Sequence, residues 1–231
     1  MLRVLDIGNT HTRIADWDGC KFCNQQVIDT TDFCRCFRMP EYPVVAACVC
    51  PQIKAELKDS GIIFVSALEN SGLVDFSLID RTTLGADRVA NAVALAGMYP
   101  LPGAVIDCGT AITLEMVDEN RRFIGGAIAP GRALMRHSLE TGTAQLPKTR
   151  LLEHIHRNPG RNTVDAIGLG IVCAAAGVVK ELANVARENM ELKTLILTGG
   201  DAEFFREALP EATLCNGEFT LHGVRLSAVV R

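Results

Sequence analysis

Val4-Leu5-Asp6-Ile7-Gly8-Asn9-Thr10-His11-Thr12, close to the start of the chain, is the stretch from which the fold can be read. Val4, Leu5 and Ile7 read as a buried strand. Asp6 falls where that strand ends, a costly place for a carboxylate unless it meets a cation. Gly8 permits a tight turn or a close approach of backbone to ligand. Asn9, Thr10 and Thr12 then offer donors that suit phosphate oxygens. A strand running into a polar turn is common, and alone it says no more than that.

The pattern recurs. Val105-Ile106-Asp107-Cys108-Gly109-Thr110-Ala111-Ile112-Thr113 has the same order of residue types. At a constant offset of 101 residues Val4 matches Val105, Asp6 matches Asp107, Gly8 matches Gly109 and Thr12 matches Thr113, and Phe22 falls on Phe123. Two copies so spaced predict two similar domains, each presenting a strand–turn–strand to a shared cleft.

Composition narrows the classes. The chain has 231 residues, 48% of them hydrophobic, enough for two packed domains or one large one. A net charge of −4 argues against a nucleic-acid binder. No apolar run is expected to reach the length of a membrane span. Met1-Leu2-Arg3 leads into a strand whose Asp6 and Asn9 interrupt any signal-peptide core, so a soluble, cytoplasmic protein is expected. The nine cysteines are odd in number and are expected to be reduced. Cys20, Cys23, Cys34 and Cys36 have pairwise spacings that a zinc site also uses, although Cys34 and Cys36 would share a face only in a strand.

Taken in order, 13–17 and 21–28 read as strands joined at Asp18-Gly19, 30–38 as a short helix, 43–49 as a doubly buried strand, 51–58 as a helix and 62–66 as a strand. The first hundred residues thus read β-β-β-α-β-α-β, a mixed sheet flanked by helices. A helix opens at Gly85-Ala86-Asp87-Arg88 and runs to about Tyr99. Asp87 suits a helix start, but Arg88 is a cation at the end where cations are disfavoured, so the pair reads as a substrate grip. Pro100 to Pro102 marks a boundary between domains at 1–101 and 102–231. Beyond it, 104–108, 112–117 and 122–129 repeat the three strands, and a helix covers 132–140. A long apolar helix capped by Asn162 or Thr163 runs to about Met190, and a buried strand, 194–198, ends in Gly199-Gly200. That glycine pair is another place where a ligand can lie against backbone.

Six motifs in order now stand together: Asp6-Ile7-Gly8-Asn9-Thr10, Gly85-Ala86-Asp87-Arg88, Asp107-Cys108-Gly109-Thr110-Ala111, Gly125-Gly126-Ala127-Ile128-Ala129-Pro130-Gly131, Gly160-Arg161-Asn162-Thr163 and Thr198-Gly199-Gly200. The set resembles the type III pantothenate kinases, of the actin-like ATPase superfamily that includes sugar kinases, over nearly the whole chain. The resemblance implies an α/β fold of two duplicated ribonuclease-H-like domains and ATP-dependent phosphorylation of pantothenate, the first step toward coenzyme A. It implies Mg²⁺ at Asp6, with Asp6, Ile7, Gly8, Asn9, Thr10, His11, Thr12 and Arg13 cradling the phosphates. Thr110 would be a phosphate contact, and Gly199 and Gly200 would lie at the nucleotide. Asp107 would bind a monovalent cation, K⁺ or NH₄⁺. Asp87 would accept the hydroxyl proton, and Gly85, Ala86, Asp87, Arg88 and Thr163 would bind pantothenate, near the interface of a homodimer. No nucleic acid or membrane partner is expected.

Neither phosphate turn contains a lysine or matches a P-loop, which fits a fold that neutralises phosphate with metal ions. Two positions depart from the family pattern: Glu115 stands where an aspartate is usual, and Leu78 where a tyrosine often contacts pantothenate. Another small-molecule kinase on this scaffold, or a non-catalytic nucleotide-binding protein, are the alternatives. A binding module would have little use for Asp87.

Overall fold

Each half of the chain opens with three antiparallel strands and adds two parallel ones. The structure is a computed structural model and describes residues 1–68, 72–155 and 157–228. In the first half β1 (Leu2–Ile7), β2 (His11–Trp17), β3 (Phe22–Asp29), β4 (Val44–Cys48) and β5 (Ile63–Phe64) form a sheet ordered β3-β2-β1-β4-β5. In the second half β6 (Gly103–Cys108), β7 (Ala111–Val117), β8 (Phe123–Pro130), β9 (Thr194–Thr198) and β10 (Thr213–Leu214) are ordered β10-β9-β6-β7-β8, the same arrangement. β1 and β6 are the central strands, and their parallel neighbours β4 and β9 are buried at every position.

The copies match more closely in space than at a fixed sequence offset. Asp6 pairs with Arg13 across its hairpin, whereas Asp107 pairs with Thr113. The second turn, Gly109-Thr110, is therefore one residue shorter than Gly8-Asn9-Thr10. Thr10 and Thr110 are the equivalent last residues of the two turns, and the counterpart of Arg13 is Thr113. Phe22 and Phe123 regain the original offset at the starts of β3 and β8, after irregular register in both hairpins.

Among the described residues seven α-helices fill the connections: α1 (Phe33–Cys36), α2 (Pro51–Glu56), α3 (Ala86–Met98), α4 (Arg132–Gly142), α5 (Thr163–Asn189), α6 (Ala202–Phe205) and α7 (Glu218–Ala228). The expected helix over 30–38 is a 3₁₀ turn at Thr30–Asp32 followed by the single turn of α1. The short strand β10 and helix α7 were not foreseen. They complete the duplication, because α3 follows β5 as α7 follows β10. These last helices pack on each other between the sheets, α7 against β1 and β4, α3 against β4, β6 and β7. Val4, Val45, Val89, Val93, Val105, Ile196, Leu221 and Val224 form a single core cluster spanning both sheets.

One expectation needs correction. α5 is long and apolar enough to cross a membrane by length and composition, with a mean hydropathy of 1.8 in its window. Its Ala175, Val179, Leu182, Ala183 and Ala186 instead join Ile106, Leu114 and Leu197 in the core of the second sheet. The cysteines are all free. Cys20 lies in the β2–β3 turn, Cys23 on β3, and Cys34 and Cys36 on α1, and among the described residues no group of three or more His, Cys, Asp or Glu is placed to hold a metal.

Candidate active site

The two strand-end aspartates and the start of α3 converge. Asp6 and Asp107 end β1 and β6 beside their turns, and the turns touch: Thr10 Oγ1 and Thr110 Oγ1 share a hydrogen bond of 3.0 Å. Burial, above all, pushes the Asp6 carboxyl up to about 7, with Asp107 and Asp87 adding to the rise while Arg13 opposes it. Arg13 Nη1 is 3.5 Å from Asp6 Oδ2, too long for a strong pair. Asp107 is likewise raised by burial and by Asp87, against the Asn91 amide that donates to its Oδ2 at 2.9 Å. Asp87 is raised by burial, and the following backbone N–H of Arg88 donates to its Oδ1 at 2.8 Å.

Asp6 is raised by Asp107 and Asp87, and Asp107 by Asp87, while Arg13 opposes the rise at Asp6 and Asp107 and Arg88 opposes it at Asp87; with Arg13 too far for a strong pair, the strand-end carboxylates are short of positive charge. Their all-oxygen donor set suits a hard cation. Mg²⁺ needs no protein cage, since it keeps waters and takes substrate phosphates with one or two carboxylates. The residues therefore fit Mg²⁺, which Asp6, beside the first turn, would hold.

The expected site residues divide. Gly8 closes its turn by donating to the His11 carbonyl at 3.1 Å, and Asn9, Thr10 and His11 are exposed beside it. Ile7 and Thr12 turn their side chains away from the cleft because they alternate with Asp6 and Arg13 along their strands. Ile7 lies in the first sheet's core, and the buried Thr12 hydroxyl bonds Thr30 Oγ1 at 3.0 Å, which in turn donates to the Gly8 carbonyl at 2.9 Å. These two residues brace the turn and offer no side chain to a phosphate. Gly199 has φ +97°, and a Cβ there would lie 2.4 Å from Asp107 Oδ1 and 2.5 Å from the Cys108 carbonyl, while Gly200 is open. Gly85 precedes α3, and Ala86 is buried beneath Asp87 and Arg88. Thr163 is the exposed first residue of α5, capped by Asn162, whose Oδ1 accepts from Asp165 N at 3.0 Å. Among the described residues no hydrogen bond ties Thr163 to the carboxylates.

Two further features were not foreseen. Asn91, buried on α3, donates to Asp107 and accepts from Thr220 Oγ1 of α7 at 2.9 Å, so the last helix locks the amide that holds a cleft carboxylate. An asparagine inside an otherwise apolar helix face was the available signal. Arg132, buried at the start of α4, forks onto Asp201 at 3.1 and 2.6 Å and reaches the Leu152 carbonyl at 2.8 Å, tying the β9–α6 turn to α4. It is a cation at a helix start, as Arg88 is, and the same argument applied to it would have found it.

A family model described as type III pantothenate kinase matches residues 2–185. The chain belongs to the type III pantothenate kinases. A type III pantothenate kinase of Thermosipho africanus is 32% identical over 243 residues, covering 97% of this chain and 96% of that one. Among solved structures, one described as a Baf family transcriptional activator from Campylobacter jejuni aligns at TM-score 0.68 and 22% identity, covering 98% of this chain and 97% of that one. A ROK hexokinase from Thermus thermophilus aligns at TM-score 0.50 and 12% identity, covering 98% and 97%. At such identities the likeness is of fold alone, and the fold is that of the actin-like ATPases and sugar kinases. This type III pantothenate kinase therefore has its carboxylates between two sheets of that α/β class, each strand-end aspartate next to a glycine turn.

Proposed function

We propose that the cleft transfers the γ-phosphoryl group of ATP to the hydroxyl of pantothenate, giving 4'-phosphopantothenate, the first step toward coenzyme A. The observation that carries this reading is the convergence of Asp6, Asp107 and Asp87 beside two turns joined at Thr10 and Thr110. Phosphoryl transfer needs positioning and charge neutralisation more than covalent help. Asp6 holds Mg²⁺, which when bound neutralises the phosphate oxygens. Thr10, Thr110 and the N–H groups of the turns orient those oxygens, and Gly199 and Gly200 lie against the nucleotide. Asp107 binds a monovalent cation, K⁺ or NH₄⁺, its carboxylate oriented by Asn91.

Asp87 takes the proton of the attacking hydroxyl as the new O–P bond forms and the bond to ADP breaks. A carboxyl raised by burial is a better base than an exposed aspartate. Arg88 receives the substrate's carboxylate, and Thr163 contacts the rest of pantothenate. The halves 1–101 and 102–231 act as the two jaws. A homodimer is supported by the uncharged, solvent-facing stripe on α5 formed by Ala166, Gly170, Cys173, Ala174 and Gly177, with Val164 half exposed beside it. The setting is the cytoplasm, where ATP is supplied.

The test is Asp87→Asn. ATP binding, followed by a fluorescent nucleotide analogue, is expected to persist within about threefold, while turnover falls by about 10²-fold or more. Retained turnover would remove Asp87 as the base.

A further inference from the structure

Arg88 is held by the second sheet on three sides. From the first turn of α3 its Nε donates to Glu115 Oε1 on β7 at 2.8 Å, and its Nη2 donates to the Leu114 carbonyl at 2.9 Å. Gly126 on β8 leaves the space the guanidinium fills, since a Cβ there would stand 2.6 Å from Nη2 and 1.7 Å from the Leu114 carbonyl. Phe123 lies under the group, with its ring centroid 5.9 Å from Cζ. Among the described residues nothing accepts from Nη1, and the Arg88 side chain keeps 14% exposure. A rigid fork with two donors bound inside has one edge left to meet an anion.

Glu115 is completely buried, and its second oxygen, Oε2, has no hydrogen-bond partner. Burial pushes its carboxyl up to about 8, with Asp107 adding to the rise and Arg88 and Thr113 opposing it. Oε1 accepts from Arg88 whether or not a proton sits on Oε2. Glu115 therefore holds the guanidinium through Oε1 from inside and leaves its outer edge for the substrate. An aspartate here would fall a methylene short of Nε, so the longer side chain matches the distance to α3.

We propose that Glu115 is a positioning residue that aims the free edge of Arg88 and thereby makes a carboxylate-bearing acceptor the preferred substrate. The inference rests on the reading that Arg88 receives the carboxylate of pantothenate, and deepens it. It predicts discrimination between pantothenate and the alcohol in which its carboxylate is reduced to a hydroxymethyl group.

The experiment measures kcat/KM for both acceptors in wild type, Glu115→Ala, Glu115→Asp and Glu115→Gln, with thermal unfolding of each. In Glu115→Ala the ratio of pantothenate to alcohol is expected to fall about tenfold, mainly through KM for pantothenate. Glu115→Asp, the milder variant if the alanine protein does not fold, is expected to fall partway. Glu115→Gln keeps an acceptor at Oε1 and loses no partner at Oε2, so its ratio is expected to stay within about threefold of wild type. An unchanged ratio in the alanine and aspartate proteins overturns the proposal, as does an equal loss for both acceptors or a glutamine variant no better than alanine. Failure of the wild-type protein to turn over pantothenate overturns instead the reading beneath it, and is seen without any variant.

Discussion

Gly199 and Gly200 are neighbours with opposite expected responses to the same substitution. Gly199→Ala puts a Cβ 2.4 Å from Asp107 Oδ1, 2.5 Å from the Cys108 carbonyl oxygen and 2.7 Å from its carbon, at φ +97°. Two of these three atoms are backbone in the central strand of the second sheet, so the aspartate must swing away and the turn must shift. Holding a non-glycine residue at such a φ costs about 1–3 kcal/mol, and overpacking typically adds about 1–3 kcal/mol. Allowing for partial relaxation, the sum is about 2–4 kcal/mol, which for a chain of this size lowers Tm by about 4–16 °C. Displacing Asp107 also breaks its geometry with Asn91, so turnover is expected to fall about tenfold or more even in protein that remains folded. Gly200→Ala meets nothing within 4 Å and should leave Tm within about 2 °C of wild type. Differential scanning fluorimetry and steady-state turnover of the two variants are the assays. Equal Tm values for the two proteins, or a Gly199→Ala enzyme of full activity, would refute the contact between the glycine turn and Asp107.

Thr220→Val removes the donor to Asn91 Oδ1 and leaves a buried acceptor unpaired. It should destabilise by about 1–3 kcal/mol and raise the K⁺ concentration for half-maximal rate, and an unchanged K⁺ response would disconnect α7 from Asp107. Glu115 gives a pH signature: its carboxyl is raised from 4.5 to about 8, so its contribution is fully present below 4.5 and lost as pH rises through about 8. Urea unfolding at pH 6 and pH 9 should show wild type losing more stability than Glu115→Gln, by up to about 1.4 kcal/mol per pH unit between those pKa values. Coincident slopes would mean that burial does not raise this carboxyl.

The duplication was legible because each copy states it in the same few residue types: an apolar strand, an aspartate at its end and a glycine turn. Apolar runs and hairpin turns mark most of the strands along the chain, and the apolar run 194–198 coincides with β9, while the order of strands within each sheet has no local signal. The constant offset of 101 residues concealed the shorter second turn, which only the pairing of Asp107 with Thr113 reveals. Thr12 looked like a phosphate ligand by residue type, yet strand alternation buries it. α7 escaped notice because its apolar positions are interrupted by Thr220, His222, Gly223 and Arg225, and its identity as a helix depends on packing against α3 more than on local pattern. The Asn91–Thr220 contact spans 129 residues, and no local signal pairs residues that far apart.

The most direct measurement is ADP release by the purified protein with Mg²⁺, K⁺ and ATP, with and without pantothenate, followed by phosphorus NMR of the product. The account predicts turnover that depends on pantothenate and a phosphomonoester on its primary hydroxyl. Folded protein that binds ATP yet releases no additional ADP when pantothenate is added would contradict it.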